Sequence, residues 1–235
     1  MTKDEVMRAL EEMGSEQTLK TYKRHGLNIP AFGVKIGDMK AIQKKVKKDQ
    51  QLAEELYETG NHDAMYLAGL IADEQAMSPS LLQKWAENAS WYSLAEYTVA
   101  WITAESNHAE EMGKKWIATD DELLETAGWS TLANYISIAK AEEIDVDYYR
   151  SLLHHVEKNI QKAKNRVKYV MNNFVICVGS YIPELTEEAK QTASQLGKVE
   201  VNMGDTACKV PDAKSYIEKI EAKNRIGKKR KQARC

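Results

Sequence analysis

Apolar residues recur every three to four positions over nearly every stretch longer than ten residues, and nowhere do they alternate with a period of two for long enough to suggest a sheet. Over residues 38–48, Met39, Ile42 and Val46 share one stripe and lysines take the other side, with Asp38 placed to cap the start of that helix. A second helix over 51–58 ends at Thr59 and Gly60, where glycine accepts the left-handed conformation that closes a helix. The unit then repeats. Residues 63–72 are apolar on two faces, Ser78 and Pro79 supply an N-cap and a first helical position, and 81–88 complete a second pair. Further pairs are predicted at 91–104 with 109–117, 121–141 with 146–158, and 162–178 with 183–196.

Five helical pairs spaced about 30 to 40 residues apart predict an all-α, HEAT-like or armadillo-like array, with a compact helical bundle as the structural alternative. Trp85 and Trp116 fall at equivalent places in their pairs, and the expectation is that both pack between neighbouring layers. Two segments break the rhythm, the glycine-rich 26–37 and the similar 197–211, and loops of that length in a compact domain are clasps or functional elements. The expected organisation is one repeat domain over 1–222 and a basic, mobile tail over 223–235, because 225–235 has no apolar face.

Composition narrows the class without naming a function. With 43% hydrophobic and 29% charged residues and 4 prolines, the 235-residue chain reads as an ordinary globular protein, and no apolar run suits a signal peptide or a membrane span. The three cysteines, Cys177, Cys208 and Cys235, are widely separated and fit a reduced, cytoplasmic setting. His25, His62, His108, His154 and His155 show no metal-ligand spacing, so neither a metal nor a cofactor is expected, and Cys208 has no histidine near it in sequence.

Charge changes the picture more. A net −2 conceals a segment from 198 to 235 with eleven Lys and Arg against five Asp and Glu, and an island over 35–48 with six lysines against Asp38 alone. Clustered cations of this kind suit phosphate contacts, although solvated helix faces would look the same. The cations expected to grip a nucleic-acid backbone are Lys162, Arg166 and Lys168, then Lys44 and Lys45, then Lys228, Lys229, Arg230 and Lys231.

Two segments, SWYSLAEYTVAW at 90–101 and KWIATDDELLETA at 115–127, together with the array over roughly 20–195, resemble the bacterial DNA alkylation repair family, the AlkD-like HEAT-repeat DNA glycosylases. The resemblance implies a basic groove around duplex DNA and excision of purines alkylated at N3 or N7. It implies a site in which a carboxylate and aromatic faces stabilise the positive charge that develops on the deoxyribose. Trp91 stands at the family's first tryptophan, Tyr92 replaces the second and Glu96 takes the aspartate position, so these three are the expected catalytic residues. The family's backbone-contacting arginine falls here on Thr126. Its later tryptophan has no counterpart, the region holding Met171, Asn172, Asn173 and Phe174. Two functions therefore stand side by side: a DNA-binding protein that excises alkylated purines, and a helical-repeat scaffold for structured nucleic acid or a protein partner.

Overall fold

A computed structural model describes residues 1–234; Cys235 lies outside the described residues. The elements are α1 (Lys3–Met13), α2 (Glu16–Arg24), α3 (Ile36–Val46), α4 (Gln50–Tyr57), α5 (His62–Ile71), α6 (Pro79–Glu87), α7, which joins a π-helical stretch (Leu94–Val99) to an α-helical one (Ala100–Glu105), α8 (Ala109–Ile117), α9 (Glu122–Ile138), α10 (Val146–Asn159), α11 (Asn165–Tyr181), α12 (Thr186–Leu196) and α13 (Ala213–Ala222). Short polar side chains start many of them: the carboxylate or amide oxygens of Asp49, Asn61, Asp121, Asp145 and Asp212 and the Ser78 hydroxyl accept first-turn amides. Asp38 lies in the first turn of α3 rather than at its cap, because that helix begins two residues earlier.

Helices α5, α7, α9, α11 and α13 pack each on the next and form an inner layer, while α4, α6, α8, α10 and α12 cover it. All ten residues of α5 are buried, which is why its apolar character wraps around the helix. The predicted pairing is displaced by one helix in the first part of the array, where α4 packs chiefly on α5 and α8 on α9 rather than α3 on α4 and α5 on α6, whereas the last predicted pair, α11 with α12, does pack together. Periodicity tells which face of a helix is apolar and not which neighbour covers it. At the α8–α9 crossing, Gly113 and Gly128 let the backbones close together, for a Cβ on Gly128 would sit 2.7 Å from the Ile117 nitrogen.

Trp85 and Trp116 are core residues, as expected. The Tyr57 ring stacks on Trp85 with centroids 4.1 Å apart and its hydroxyl donates to the Trp85 carbonyl at 2.6 Å, while Trp116 Nε1 donates to Gln83 Oε1 at 2.9 Å. Each tryptophan thus joins one covering helix to a neighbouring helix.

The segment over 223–234 is not a mobile tail. It runs as a strap along the C-terminal ends of four inner helices in reverse order. The Gly227 amide donates to the Ser180 carbonyl of α11 and the Arg230 amide to the Ser137 carbonyl of α9. Lys229 Nζ donates to the Ile136 and Tyr181 carbonyls at 2.7 and 3.0 Å. The amides of Ala233 and Arg234 donate to Glu105 Oε1 at the end of α7. The Arg234 guanidinium then reaches the Gly69 and Ala72 carbonyls at the end of α5, and pairs with both Glu74 and Glu105 at 2.6 Å. The physical reason lies in the helix ends. The last carbonyls of a helix have no intrahelical donor and carry partial negative charge, so cations brought beside them are stabilised in place.

Candidate nucleic-acid interface

The inner helices run parallel, so their N-terminal ends share one edge of the layer and their C-terminal ends, under the strap, share the other. The N-terminal edge carries the candidate site. Asp63, fully buried in the first turn of α5, organises it from one side: its carboxylate accepts the amides of Phe32, Gly33 and Val34 at 2.6, 3.0 and 3.1 Å. Pro30 in turn offers its carbonyl to the His62 amide, and the Tyr22 hydroxyl donates to the Val34 carbonyl at 2.6 Å. The 26–37 segment is therefore a clasp held by one carboxylate. Burial, with Asp63 nearby, pushes the Tyr22 phenol up to about 12.

Trp91 follows, in the bend just ahead of α7, only 6% exposed, with its Nε1 donating to the His25 carbonyl at 3.3 Å and its ring edge-on to His62 at 4.8 Å. Tyr92 lies beside it, centroids 4.9 Å apart. Glu96 sits within the π-helical stretch, a local widening of the helix that often accompanies functional positions.

Sequence placed Glu96 and Arg166 in separate roles, and the structure joins them. Arg166 Nε donates to Glu96 Oε2 at 2.8 Å and Nη2 donates to the same oxygen. Both residues are buried, 7% and 6% exposed. The guanidinium is sandwiched between the rings of Tyr92 and Tyr169, 3.9 and 4.0 Å from their centroids. Burial raises the Glu96 carboxyl above its usual range, against the opposing pull of the Arg166 charge and the Tyr97 hydroxyl. Arg166 is thus committed to the interior, and a backbone-gripping role of the kind read from the sequence is not open to this conformation. Tyr169 went unremarked in the sequence, although it lies one helical turn beyond Arg166; it supplies an aromatic wall where no tryptophan was found.

The 197–211 segment closes over this cluster. Asn202 exchanges two hydrogen bonds with the Asn165 side chain, at 2.7 and 3.0 Å, and Met203 Sδ lies 3.9 Å from Arg166 Nη1. The Asp205 amide then donates to the Arg24 carbonyl at the end of α2. Gly204 is required at that junction, since φ is +75° and a Cβ would stand 2.2 Å from the Arg24 oxygen. Beneath the segment lies an open cleft of about 390 Å³ lined by His25, Asn28, Ser90, Trp91, Tyr92, Leu123 and Met203 among others.

The remaining predicted cations separate onto the two edges. Lys162 is exposed and Lys168 half-buried near the start of α11, at the cleft edge, where Lys23, Arg24 and Lys209 are exposed as well. Lys44 and Lys45 are exposed in the last turn of α3, near the end of α5, as Gln43 shows by donating to the Leu70 carbonyl. Lys228 and Lys231 are exposed on the strap, whereas Lys229 and the Arg230 backbone are engaged with helix ends. Among the described residues no cluster of His, Cys, Asp and Glu has the makings of a metal site, and no helix is long and apolar enough to cross a membrane.

Comparison with known proteins agrees with this architecture. The chain matches the family described as DNA alkylation repair enzyme over residues 6–196. It is 34% identical to the uncharacterized protein Lin0241 of Listeria innocua over 232 residues, 96% of this chain and 99% of that protein. It is 35% identical to the uncharacterized protein Lmo0209 of Listeria monocytogenes over 231 residues, with the same coverage. A solved structure described as belonging to "a new family of proteins related to the HEAT-like repeat DNA glycosylases with affinity for branched DNA structures" superposes with a TM-score of 0.92 at 41% identity, covering 100% of both chains.

Proposed function

This chain belongs to the DNA alkylation repair enzyme family and has its HEAT-like fold, and we propose that it binds branched DNA through the cleft edge without excising bases. The observation that carries the second half of this reading is the Glu96–Arg166 pair. Excision of an alkylated purine needs a carboxylate free to stabilise positive charge on the sugar, and aromatic faces free to add to it. Here a guanidinium from the protein itself neutralises the carboxylate and lies against Tyr92 and Tyr169. A site already filled by its own cation has little stabilisation left to give to another. Trp91, Tyr92 and Glu96 are then structural descendants of a lesion site rather than catalytic residues.

The DNA-binding half is supported by the affinity described for the solved relative and by the cations around the cleft, the exposed Lys23, Arg24, Lys162 and Lys209 and the half-buried Lys168. Phosphate contacts made by such residues release counterions, so affinity falls steeply with salt. The test pairs two measurements. Titration of a fluorescent four-way junction and a linear duplex of matched length should show tighter binding of the junction, weakening as salt rises from about 50 to 200 mM. Incubation with methylated duplex should release no 7-methylguanine above the buffer rate. Equal affinity for both DNAs overturns the branched-DNA reading, and enzymatic release overturns the non-excising one.

A further inference from the structure

The 197–211 segment also borders a second open cavity, of about 770 Å³, walled by Asn172 of α11, Ala193 of α12 and Ala213 of α13. We propose that this cavity holds an extended, acidic peptide segment of a protein partner, paired edge to edge with residues 198–201. Along 198–202, Lys198, Glu200 and Asn202 are exposed while Val199 is buried and Val201 half-buried, and Lys198 pairs with Glu200, two residues on, at 2.7 Å. That is the alternation of a strand, whose side chains point to opposite faces in turn. The strand has no neighbour. Among the described residues no hydrogen bond reaches the amides or carbonyls of residues 198–201, nor those of Lys209 and Val210, which line the same cavity. Asn172, only 2% exposed, donates from Nδ2 to the Pro211 carbonyl at 2.9 Å, and no donor among the described residues reaches its Oδ1.

The free groups select the occupant. A strand edge offers N–H donors and C=O acceptors in turn, and another extended polypeptide answers both. A DNA backbone carries acceptors alone and would leave the carbonyls unanswered. Val199 and Val201 favour apolar residues at alternate positions of the peptide. Charge supplies the rest. Glu200 is matched by Lys198, and Asp212, which caps α13, has the charges of Lys214 and Lys219 nearby. Lys209, exposed at the rim, pairs with no carboxylate of the described residues, so an acidic residue of the peptide completes that pairing. DNA at the cleft is not required for such docking.

The probe is a short fluorescein-labelled peptide alternating aspartate with valine, titrated against the full chain. It is expected to bind saturably and to slow amide exchange at residues 198–201 at least tenfold. The same peptide N-methylated at alternate residues keeps its side chains but loses donors for pairing, and should bind at least tenfold more weakly. A peptide with lysine in place of aspartate should be weakened as much. Lys209→Glu, a surface change, should weaken the aspartate peptide at least fivefold while leaving urea unfolding unaltered. Binding that leaves those amides unprotected, or that N-methylation does not weaken, overturns strand pairing. Equal affinity for the lysine peptide, or for the aspartate peptide after Lys209→Glu, overturns the acidic assignment. If nothing binds at about 1 mM peptide, or if a four-way junction slows the same amides and the peptide does not, the cavity is not a peptide site and the proposal falls.

Discussion

The two edges of the inner layer solve the same problem in opposite ways. At the C-terminal edge the last carbonyls of α5, α9 and α11, and the Glu105 carboxylate at the end of α7, are met by one continuous segment, which brings Lys229 and Arg234 against them and seals the surface. At the N-terminal edge capping is piecemeal: Asn61 serves α5, Asp121 serves α9, and Glu122 of α9 reaches across to the Arg166 amide of α11 at 2.7 Å. That edge keeps a cleft. The contrast teaches that the basic character of a segment does not announce its partner. Lys229 and Arg234 of the strap are taken up by the protein's own helix ends, whereas Lys23, Arg24, Lys162 and Lys209 near the cleft are exposed.

The largest effect expected of any change is at the N-terminal edge, in its buried pair. Arg166→Ala leaves the buried Glu96 carboxyl without its cation and should cost about 3 to 5 kcal/mol in urea unfolding, while Glu96→Leu with Arg166→Met together should cost markedly less. A single substitution as mild as the double one would mean that the pair is solvated rather than buried. Next comes the strap. Arg234→Ala removes hydrogen bonds from a charged donor and should cost about 1.5 to 3 kcal/mol, with amide exchange rising at the ends of α5 and α7 and unchanged around Tyr92. Exchange rising equally at both edges would erase the distinction between them. Gly204→Ala strains a left-handed position against the Arg24 carbonyl and should cost about 1 to 2 kcal/mol, felt only in the 197–211 segment and α2.

The smallest effect on stability should accompany a clear effect on binding. Lys162→Glu with Lys168→Glu is expected to alter unfolding by no more than about 0.5 kcal/mol, as surface changes do. The same pair should flatten the dependence of log affinity on log salt by about 0.9 for each phosphate that is no longer neutralised. Lys228→Glu with Lys231→Glu, on the strap, serves as the control and should leave that slope alone. If the strap pair flattens it and the cleft pair does not, the DNA lies on the wrong edge for this reading.

Much of the fold was legible because helix-forming signals are local. Ser78 and Pro79 start α6 as their chemistry demands, and Trp85 and Trp116 are core, as an aromatic on an apolar stripe tends to be. Pairing was legible for α11 with α12 but not earlier in the chain, since α4 and α5 are joined by a short turn much as α3 and α4 are, and only packing chooses between them. The site was read in part. Trp91, Tyr92, Glu96 and Arg166 do gather in one place, but the contact that decides their chemistry spans 70 residues of sequence and leaves no local trace. Asp63 was similarly hidden. A lone acid in an apolar helix shows its purpose only when the three amides it holds are seen.

Arrays of helical repeats ordinarily behave as open stacks in which each unit knows only its neighbours, so that units can be added, lost or melted from an end. The strap removes that freedom. By tying Arg234 to the close of α5 and Gly227 to the close of α11, it links the first inner helix to the fourth over the heads of those between. Deleting one internal pair would leave the strap too long for its anchor points, and inserting one would leave it too short. The length of this array is therefore fixed by a ruler built into the chain, and its unfolding should proceed as one event rather than as a fraying from either side.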